Sequence, residues 1–202
     1  MPTAREALLD AALSALITLP WPAVRMVDVA SAAGVSRQTL YNEFGSKDGL
    51  ARALVRCAAD GYLAGVERAL GSPGGAGDRL AATAAWTVRS ARTNALVGAL
   101  LTGCWGDRLP RPASLSAPPA SSVPAQRRAD AGPPTPAELL GQVCDRVVAA
   151  LDEGRPPQDP AELAVTCEVA MRLALSYAVA ASAVPTDAAP LVREAAERWP
   201  VR

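Results

Sequence analysis

Apolar residues recur every three or four positions along most of this chain, and that period predicts helices with one buried face. The first predicted helix ends at Pro20, because proline cannot continue a helix. Its apolar stripe consists of Leu9, Leu13, Leu16 and Ile17. Aromatic residues make up only 4% of the 202 residues and alanine is abundant, so we expect an all-α fold rather than a sheet.

Residues 35–50 read VSRQTLYNEFGSKDGL and follow the helix-like run MVDVASAAG. Gly34 is expected to end the helix before this segment, and Ser36 to cap the helix that follows. Leu40 and Phe44 lie one turn apart and are expected to form the buried side of that second helix. The pattern predicts a helix-turn-helix, which is a packing unit that also occurs in helical proteins with other functions.

A fourth helix is predicted to begin at Ser46 and to continue towards Leu70. Its apolar positions at helical spacing include Leu50, Leu54 and Cys57. The glycine-rich residues 71–77 then give the clearest break in the chain. The break separates a helical unit of about 70 residues, which is within the size range of small domains, from the rest of the chain.

The remainder of the chain predicts further helices around a Pro-rich segment. One long helix is expected from Asp78 to about Trp105. Residues 107–136 lack helical periodicity and are expected to form a long loop, with room for a short helix at 121–131. The remaining helices are predicted over residues 137–153, 161–183 and 188–199.

The charge balance gives no basic domain, since the 20 basic and 20 acidic residues divide into seven of each up to Leu70 and 13 of each beyond it. Bulk electrostatic attraction to nucleic acid is therefore disfavoured, although a reader of DNA sequence needs only a local basic face. The longest uncharged apolar stretches, such as residues 93–106, are shorter than the roughly 20 residues of a membrane span. We expect a soluble protein with no membrane partner.

The four cysteines are far apart, and the chain contains no histidine. A disulfide framework or a metal site is not expected, and a reducing cytoplasmic compartment fits this pattern. Each thiol is expected to be a small buried apolar group. The cysteines are Cys57, Cys104, Cys144 and Cys167.

An enzyme is disfavoured by the same absence of histidine, because it excludes Ser-His and Cys-His nucleophile pairs. The glycine-rich residues 71–77 lack the Lys-Ser/Thr ending of a phosphate-binding loop. We therefore predict no catalytic residues and no cofactor.

The predicted second helix of the motif has a polar outer face formed by Arg37, Gln38, Tyr41 and Asn42. Such a face is typical of helices that enter the major groove of DNA. The whole run VSRQTLYNEFGSKDGL resembles the DNA-binding signature of the TetR family of bacterial regulators, and the resemblance covers about residues 5–60. It implies an N-terminal three-helix helix-turn-helix domain followed by a larger helical domain for ligand binding and dimerisation.

The resemblance also implies roles for individual side chains. Lys47, Tyr41 and Thr39 look like the phosphate contacts that position the helix in the groove. Arg suits guanine and Gln or Asn suits adenine, which makes the other polar residues of the face the candidate base readers. The full predicted DNA-binding set is Arg25, Ser36, Arg37, Gln38, Thr39, Tyr41, Asn42 and Lys47.

Two residues depart from the family pattern. Arg25 stands where the family usually has a hydroxyl cap, which loses a hydrogen bond of about 1 kcal/mol but adds a cation. After the tyrosine the family commonly has an aromatic residue or histidine, whereas this chain has Asn42 followed by Glu43. Phosphates would repel this carboxylate unless it points away from the DNA.

By the same resemblance we expect residues 1–48 to bind DNA and residues 49–70 to form a connecting helix. Residues 78–202 are expected to bind a ligand and to dimerise. A homodimer would place two recognition helices roughly 34–36 Å apart on a near-palindrome. The small residue Ala174 is expected on the dimer face. The predicted pocket for a small hydrophobic effector is formed by Trp86, Arg89, Leu96, Leu100, Cys104, Trp105, Met171 and Tyr177, with Arg92 and Asn94 to orient a polar group.

One alternative stays open at this point. The chain could be a helical dimeric interaction module without specific DNA binding, as the neutral charge, Glu43 and Arg25 allow. A ligand-responsive repressor is favoured over this alternative because the whole run VSRQTLYNEFGSKDGL is far more specific than a helix-turn-helix alone.

Overall fold

The computed structural model describes residues 2–111, 133–152, 160–180, 190 and 192–194. Its helices are α1 (Ala4–Thr18), α2 (Met26–Ala32), α3 (Arg37–Phe44), α4 (Lys47–Leu70), α5 (Ala76–Thr93), α6 (Ala95–Thr102), α7 (Pro136–Asp152) and α8 (Pro160–Val179), with a short 3-10 turn at Trp21–Ala23. These ranges contain no strand, and the predicted all-α fold is confirmed. The helix suggested at 121–131 and most of that predicted at 188–199 lie outside the described residues.

The chain forms two compact units, and the boundary between them lies within α4. The N-terminal unit contains residues up to 58 together with 105–111 and 133, and the C-terminal unit contains residues 59–104 and those described from 134 onward. The predicted functional division at residues 48, 70 and 78 stays a prediction.

The buried side of α1 differs from the predicted stripe. Leu8 and Ala12 are fully buried, whereas Ile17 is 81% exposed and Leu13 only half-buried. Apolar residues occupy most positions of this helix, so periodicity alone did not select the face that packs on α2 and α3. A capping box between Thr3 and Glu6 begins the helix, and the hydrogen bonds from Thr3 lower the pKa of the Glu6 carboxyl.

The predicted long helix from Asp78 to Trp105 is wrong, because α5 and α6 are separate helices. Asn94 has an extended backbone between them. Its side-chain oxygen accepts hydrogen bonds from the backbone N–H groups of Leu96 and Val97, at 3.0 and 3.3 Å. A side chain that caps a new helix competes with continuation of the old one, which explains the break.

The buried face of α5 carries hydroxyl groups rather than only apolar side chains, at Thr83, Thr87 and Ser90. The Thr87 hydroxyl lies 2.9 Å from the Thr83 carbonyl oxygen and 2.9 Å from the Tyr62 hydroxyl. If Thr87 donates its one proton to that carbonyl, Tyr62 is the donor to Thr87. Burial raises the pKa of Tyr62 to about 12, which keeps this proton in place. The Ser90 hydroxyl is buried without a hydrogen-bond partner among the described residues.

The C-terminal unit is completed by α7 and α8. The buried face of α7 consists of Leu139, Val143, Val147 and Leu151. Ala174 on α8 is completely buried within the chain, so its predicted place on a dimer face is wrong, and a tryptophan there would disrupt the core instead. The prediction of buried thiols holds for Cys167 but is wrong for Cys57 and Cys104, which are exposed.

None of the helices in the described ranges is both long enough and apolar enough to cross a bilayer.

The hydroxyl cluster of α5 predicts that removal of two of its hydroxyl groups changes the free energy of unfolding differently. Thr87→Val leaves the buried Tyr62 hydroxyl without an acceptor, and we expect a loss of about 1–3 kcal/mol in the free energy of unfolding. Ser90→Ala removes a buried hydroxyl that has no partner, so the change should be neutral or stabilising. Urea unfolding followed by circular dichroism measures both. Equal destabilisation by the two variants would contradict this account of the cluster.

Candidate nucleic-acid interface

The turn between α2 and α3 depends on Gly34, whose φ of +69° lies in the left-handed region. Its N–H donates to the Ser31 carbonyl, and the N–H of Val35 donates to the Ala30 carbonyl at 3.0 Å. These bonds satisfy carbonyl groups at the end of α2 and reverse the chain direction. The predicted helix-turn-helix is therefore confirmed at the level of its turn.

Ser36 begins α3 as predicted. Its Oγ accepts a hydrogen bond of 3.0 Å from the N–H of Thr39 and lies 2.9 Å from the Thr39 hydroxyl. Leu40 and Phe44 are buried, whereas the side chains of the opposite face are exposed. That exposed face presents Arg37, Gln38, Tyr41 and Asn42.

Two of the candidate base readers contact each other. Gln38 Nε2 donates a hydrogen bond of 2.8 Å to Asn42 Oδ1 across one turn of α3. Each amide keeps further donor and acceptor positions, so the pair still presents hydrogen-bonding groups to a base edge. The contact holds the two side chains in one orientation, which lowers the entropy that base recognition must remove.

Lys47 lies at the first position of α4, beside the Ser46 hydroxyl that accepts from the N–H of Gly49 at 3.0 Å. Its Nζ donates to the Pro22 carbonyl at 3.1 Å and lies 5.0 Å from the centre of the Trp21 ring. Partial burial lowers the pKa of Lys47. The ammonium group has three donors, so one bond to Pro22 leaves donors for a phosphate. The sequence did not predict the support from Trp21 and Pro22.

The carboxylate of Glu43 is compensated by a residue of α1. Arg5 Nη1 lies 3.5 Å from Glu43 Oε2 and donates to the Glu43 backbone carbonyl at 3.3 Å. The guanidinium also lies 4.8 Å from the centre of the Phe44 ring. Arg5 thus offsets the negative charge that was expected to oppose DNA binding, and sequence reasoning missed it because it precedes Glu43 by 38 positions.

Arg25 is the residue before α2, and it makes no side-chain cap there. Its Nε lies 3.9 Å from Asp28 Oδ2, and both side chains are largely exposed. The predicted loss of a cap is confirmed. The predicted phosphate contact of Arg25 stays a prediction.

The predicted pocket residues differ in exposure and are divided between the two units. Leu96, Leu100 and Met171 are buried, Trp86 and Tyr177 are half-buried, Arg89 and Cys104 are exposed, and Trp105 belongs to the N-terminal unit. The Trp86 indole donates to the Tyr62 carbonyl at 3.0 Å and packs against Gly65, where a Cβ would lie 2.1 Å from the ring. The Arg92 guanidinium donates to the Tyr177 carbonyl at 2.6 Å, and Asn94 is a helix cap.

Comparison with known proteins identifies the N-terminal part of the chain. Residues 8–54 match the family model described as bacterial regulatory proteins, tetR family. A segment of 66 residues is 47% identical to the HTH-type transcriptional regulator AlkX of Mycobacterium tuberculosis (strain ATCC 25618 / H37Rv) and covers 33% of this chain and 31% of that protein. Residues 8–54 of this chain therefore resemble the tetR-family domain. The family consists of transcription factors rather than enzymes.

Solved tetR-family structures share the fold over nearly the whole length. The TetR family repressor AlkX from Dietzia sp. strain DQ12-45-1b is 22% identical, with a TM-score of 0.53 and coverage of 98% of this chain and 95% of that one. A TetR/AcrR family regulator from Thermobifida fusca is 16% identical, with a TM-score of 0.60 and coverage of 96% and 95%. At these identities the comparison shows the fold alone.

The Arg5–Glu43 pair predicts how a neutral residue at position 43 changes DNA binding by the tetR-family domain. Glu43→Gln leaves the Arg5 charge uncompensated, so affinity should rise at low salt. The slope of log K against log salt should steepen by up to about 0.9, the value of one extra phosphate contact. Fluorescence anisotropy over a salt series measures the slope.

Glu67→Gln is the matched control, because Glu67 forms a similar exposed ion pair with Arg146 in the C-terminal unit, at 3.0 Å. Loss of either exposed pair should cost less than about 1 kcal/mol of stability. Equal slopes of log K against log salt for wild type and Glu43→Gln would show that Arg5 does not act on bound DNA.

Proposed function

We propose that this chain is a ligand-responsive transcriptional repressor that acts as a homodimer on a near-palindromic operator. The observation that carries the proposal is the exposed polar face of α3 within a tetR-family domain, on a helix fixed by the Gly34 turn and the Ser36 cap. Arg37, Gln38 and Asn42 read bases in this proposal.

The phosphate contacts come from the ends of the motif. Lys47 and the first N–H groups of α4 form an anion-binding helix terminus. Tyr41 is 48% exposed and Thr39 is half-buried, and both hydroxyls lie on α3 near its polar face. Ser36 and Arg25 complete the set at the starts of α3 and α2. These contacts orient the helix without reading the sequence.

The proposed dimer uses the outer faces of α7 and α8. Val165, Val169 and Val179 are 54%, 43% and 68% exposed and lie on one side of α8. On α7 the small residues Gly141 and Ala149 are exposed, which allows close approach of another helix. An exposed row of valines is unusual on a helix that stays in water, and two copies together would bury it in a four-helix bundle.

The proposed effector is a small aliphatic molecule with one polar group. The buried side chains of Leu96, Leu100 and Met171 supply apolar contacts within the C-terminal unit, and the unpaired Ser90 hydroxyl supplies a polar one. The name of the Dietzia AlkX structure describes that repressor as implicated in biodegradation of n-alkanes, which fits this class. Binding would shift the population towards a conformation with lower affinity for the operator.

DNA recognition is tested by selecting bound fragments of the source genome and measuring their affinity. We expect one fragment class to bind at least about 1,000 times more tightly than random DNA. Arg37→Ala should reduce the discrimination at one base pair by about 1–3 kcal/mol. Arg68→Ala is the control, since it removes the same charge from the exposed surface of α4 in the C-terminal unit. Palmitic acid added to the complex should release the DNA.

Equal affinity for every fragment would overturn the proposal and favour an interaction module. Palmitic acid could also release the DNA from the wild type and from a variant with an enlarged side chain at Leu100 to the same extent. That result would place the effector elsewhere.

The dimer is tested by Val169→Asp, which puts a charge into the proposed interface. We expect sedimentation velocity to show monomers at micromolar concentration, together with weaker operator binding, because a buried unpaired charge is costly. Ile17→Asp is the control, as Ile17 is 81% exposed and lies on α1. A stable dimer of Val169→Asp with normal helicity would exclude this face of α8.

A further inference from the structure

Residues 105–111, which we call the strap, follow α6 along the chain but belong to the N-terminal unit. The Leu109 N–H donates to the Gly106 carbonyl at 3.0 Å, which closes a turn over residues 106–109. The Arg111 N–H donates to the Leu109 carbonyl at 2.9 Å. Pro110 is buried and Leu109 is half-buried. These hydrogen bonds and this burial give the strap a defined conformation.

The strap contacts the turn that connects α1 and α2. The carbonyl of Arg108 accepts a hydrogen bond of 2.8 Å from the N–H of Trp21. Trp21 begins the 3-10 turn Trp21–Ala23, and the first N–H groups of a helical turn have no partner within it. Pro20 and Pro22 have no N–H, so Trp21 is the donor at this end of the turn. The Arg108 carbonyl therefore fixes the start of the turn.

The same turn holds Lys47 at the start of α4. Lys47 Nζ donates to the Pro22 carbonyl at 3.1 Å and lies 5.0 Å from the centre of the Trp21 ring. Trp21 thus contacts the strap through its backbone and the ammonium group through its ring. Partial burial, which lowers the pKa of Lys47, agrees with a side chain held in this position. A lysine that is already ordered in the free protein loses less entropy when it binds an anion.

We propose that the strap is a positioning element for Lys47: it fixes the Trp21–Ala23 turn, and the turn holds the ammonium group where a DNA phosphate would bind. The phosphate contact rests on the proposed function, whereas the hold on Lys47 does not. The family-matched residues 8–54 include the turn and Lys47 but not the strap. The matched segment alone therefore lacks a part that positions one of its own phosphate-binding groups.

The position of Lys47 can be measured directly, because it is the single lysine of the 202 residues. Lysine labelled with ¹³C and ¹⁵N then gives one side-chain signal set from the full-length chain, and the Trp21 ring should shift these signals away from those of free lysine. Pro110→Gly loosens the strap, so the signals should move towards the free positions and the pKa of Lys47 should rise towards its ordinary value. Pro73→Gly is the control, since Pro73 is exposed between α4 and α5.

Further variants keep this measurement decisive. Circular dichroism verifies that Pro110→Gly remains folded, and Leu109→Ala is a milder change in the same strap. Trp21→Leu keeps the backbone donor to Arg108 but removes the ring, so it should abolish the ring-induced shift, whereas Trp21→Phe should retain most of it. Unchanged Lys47 signals in the folded strap variants would overturn the proposal.

DNA affinity tests whether the hold on Lys47 contributes to the interface. Pro110→Gly should weaken binding to the fragment selected from the source genome by about two- to tenfold, the range expected when one long side chain must be ordered on binding. In a Lys47→Ala background the same substitution should have no further effect. Equal weakening in both backgrounds would contradict a route through Lys47.

Lys47→Ala alone separates a failure of the strap from a failure of the proposed function. Unchanged affinity and salt slope in Lys47→Ala would refute the phosphate contact of the proposed function. The labelled lysine would still decide whether the strap holds the side chain.

Discussion

The placement of the recognition helix depends on the left-handed backbone at Gly34. A Cβ at this position would meet no atom within 4 Å, so the requirement for glycine is conformational and not steric. Once the chain turns there, the Ser36 hydroxyl caps α3 and Leu40 becomes completely buried. The polar face of α3 then points outward because the apolar face is held inside. Every proposed base contact follows from that turn.

The electrostatics of the proposed DNA-binding face are local and do not come from the composition of the chain. The net charge is zero, and α3 itself carries a glutamate. Arg5 on α1 offsets Glu43, while Trp21 and the Pro22 carbonyl hold Lys47 near the start of α4. In the proposed interface, a chain without net charge therefore presents positive groups where phosphates would lie. Neutrality also limits attraction to random DNA, which depends on the number of phosphate contacts.

The C-terminal unit combines apolar packing with polar groups that simple core packing does not require. Thr87 and Tyr62 satisfy each other, whereas Ser90 has a buried hydroxyl without a partner among the described residues. Buried polar groups are costly unless they are paired. The Ser90 hydroxyl is the buried polar group that the proposed effector would satisfy.

Local sequence patterns determined much of the secondary structure of this protein. The turn glycine, the Ser36 cap, and the buried positions Leu40 and Phe44 were all predicted from residues a few positions apart, because capping and helical periodicity act over single turns. The same local logic failed where apolar residues cover several faces, as in α1, and where one side chain breaks a helix, as Asn94 does. Resemblance to the TetR family supplied the proposed function, which spacing alone did not.

The tertiary structure alone decided which distant residues act together. Arg5 pairs with Glu43 and Trp21 supports Lys47, although nothing in their sequence spacing indicates these contacts. It also decided that Ala174 is buried while Val169 is exposed on the same helix. Both residues are apolar and lie on the same helix, so their residue types do not distinguish them. Only the packing of neighbouring helices determines which side is covered and which remains available for a partner.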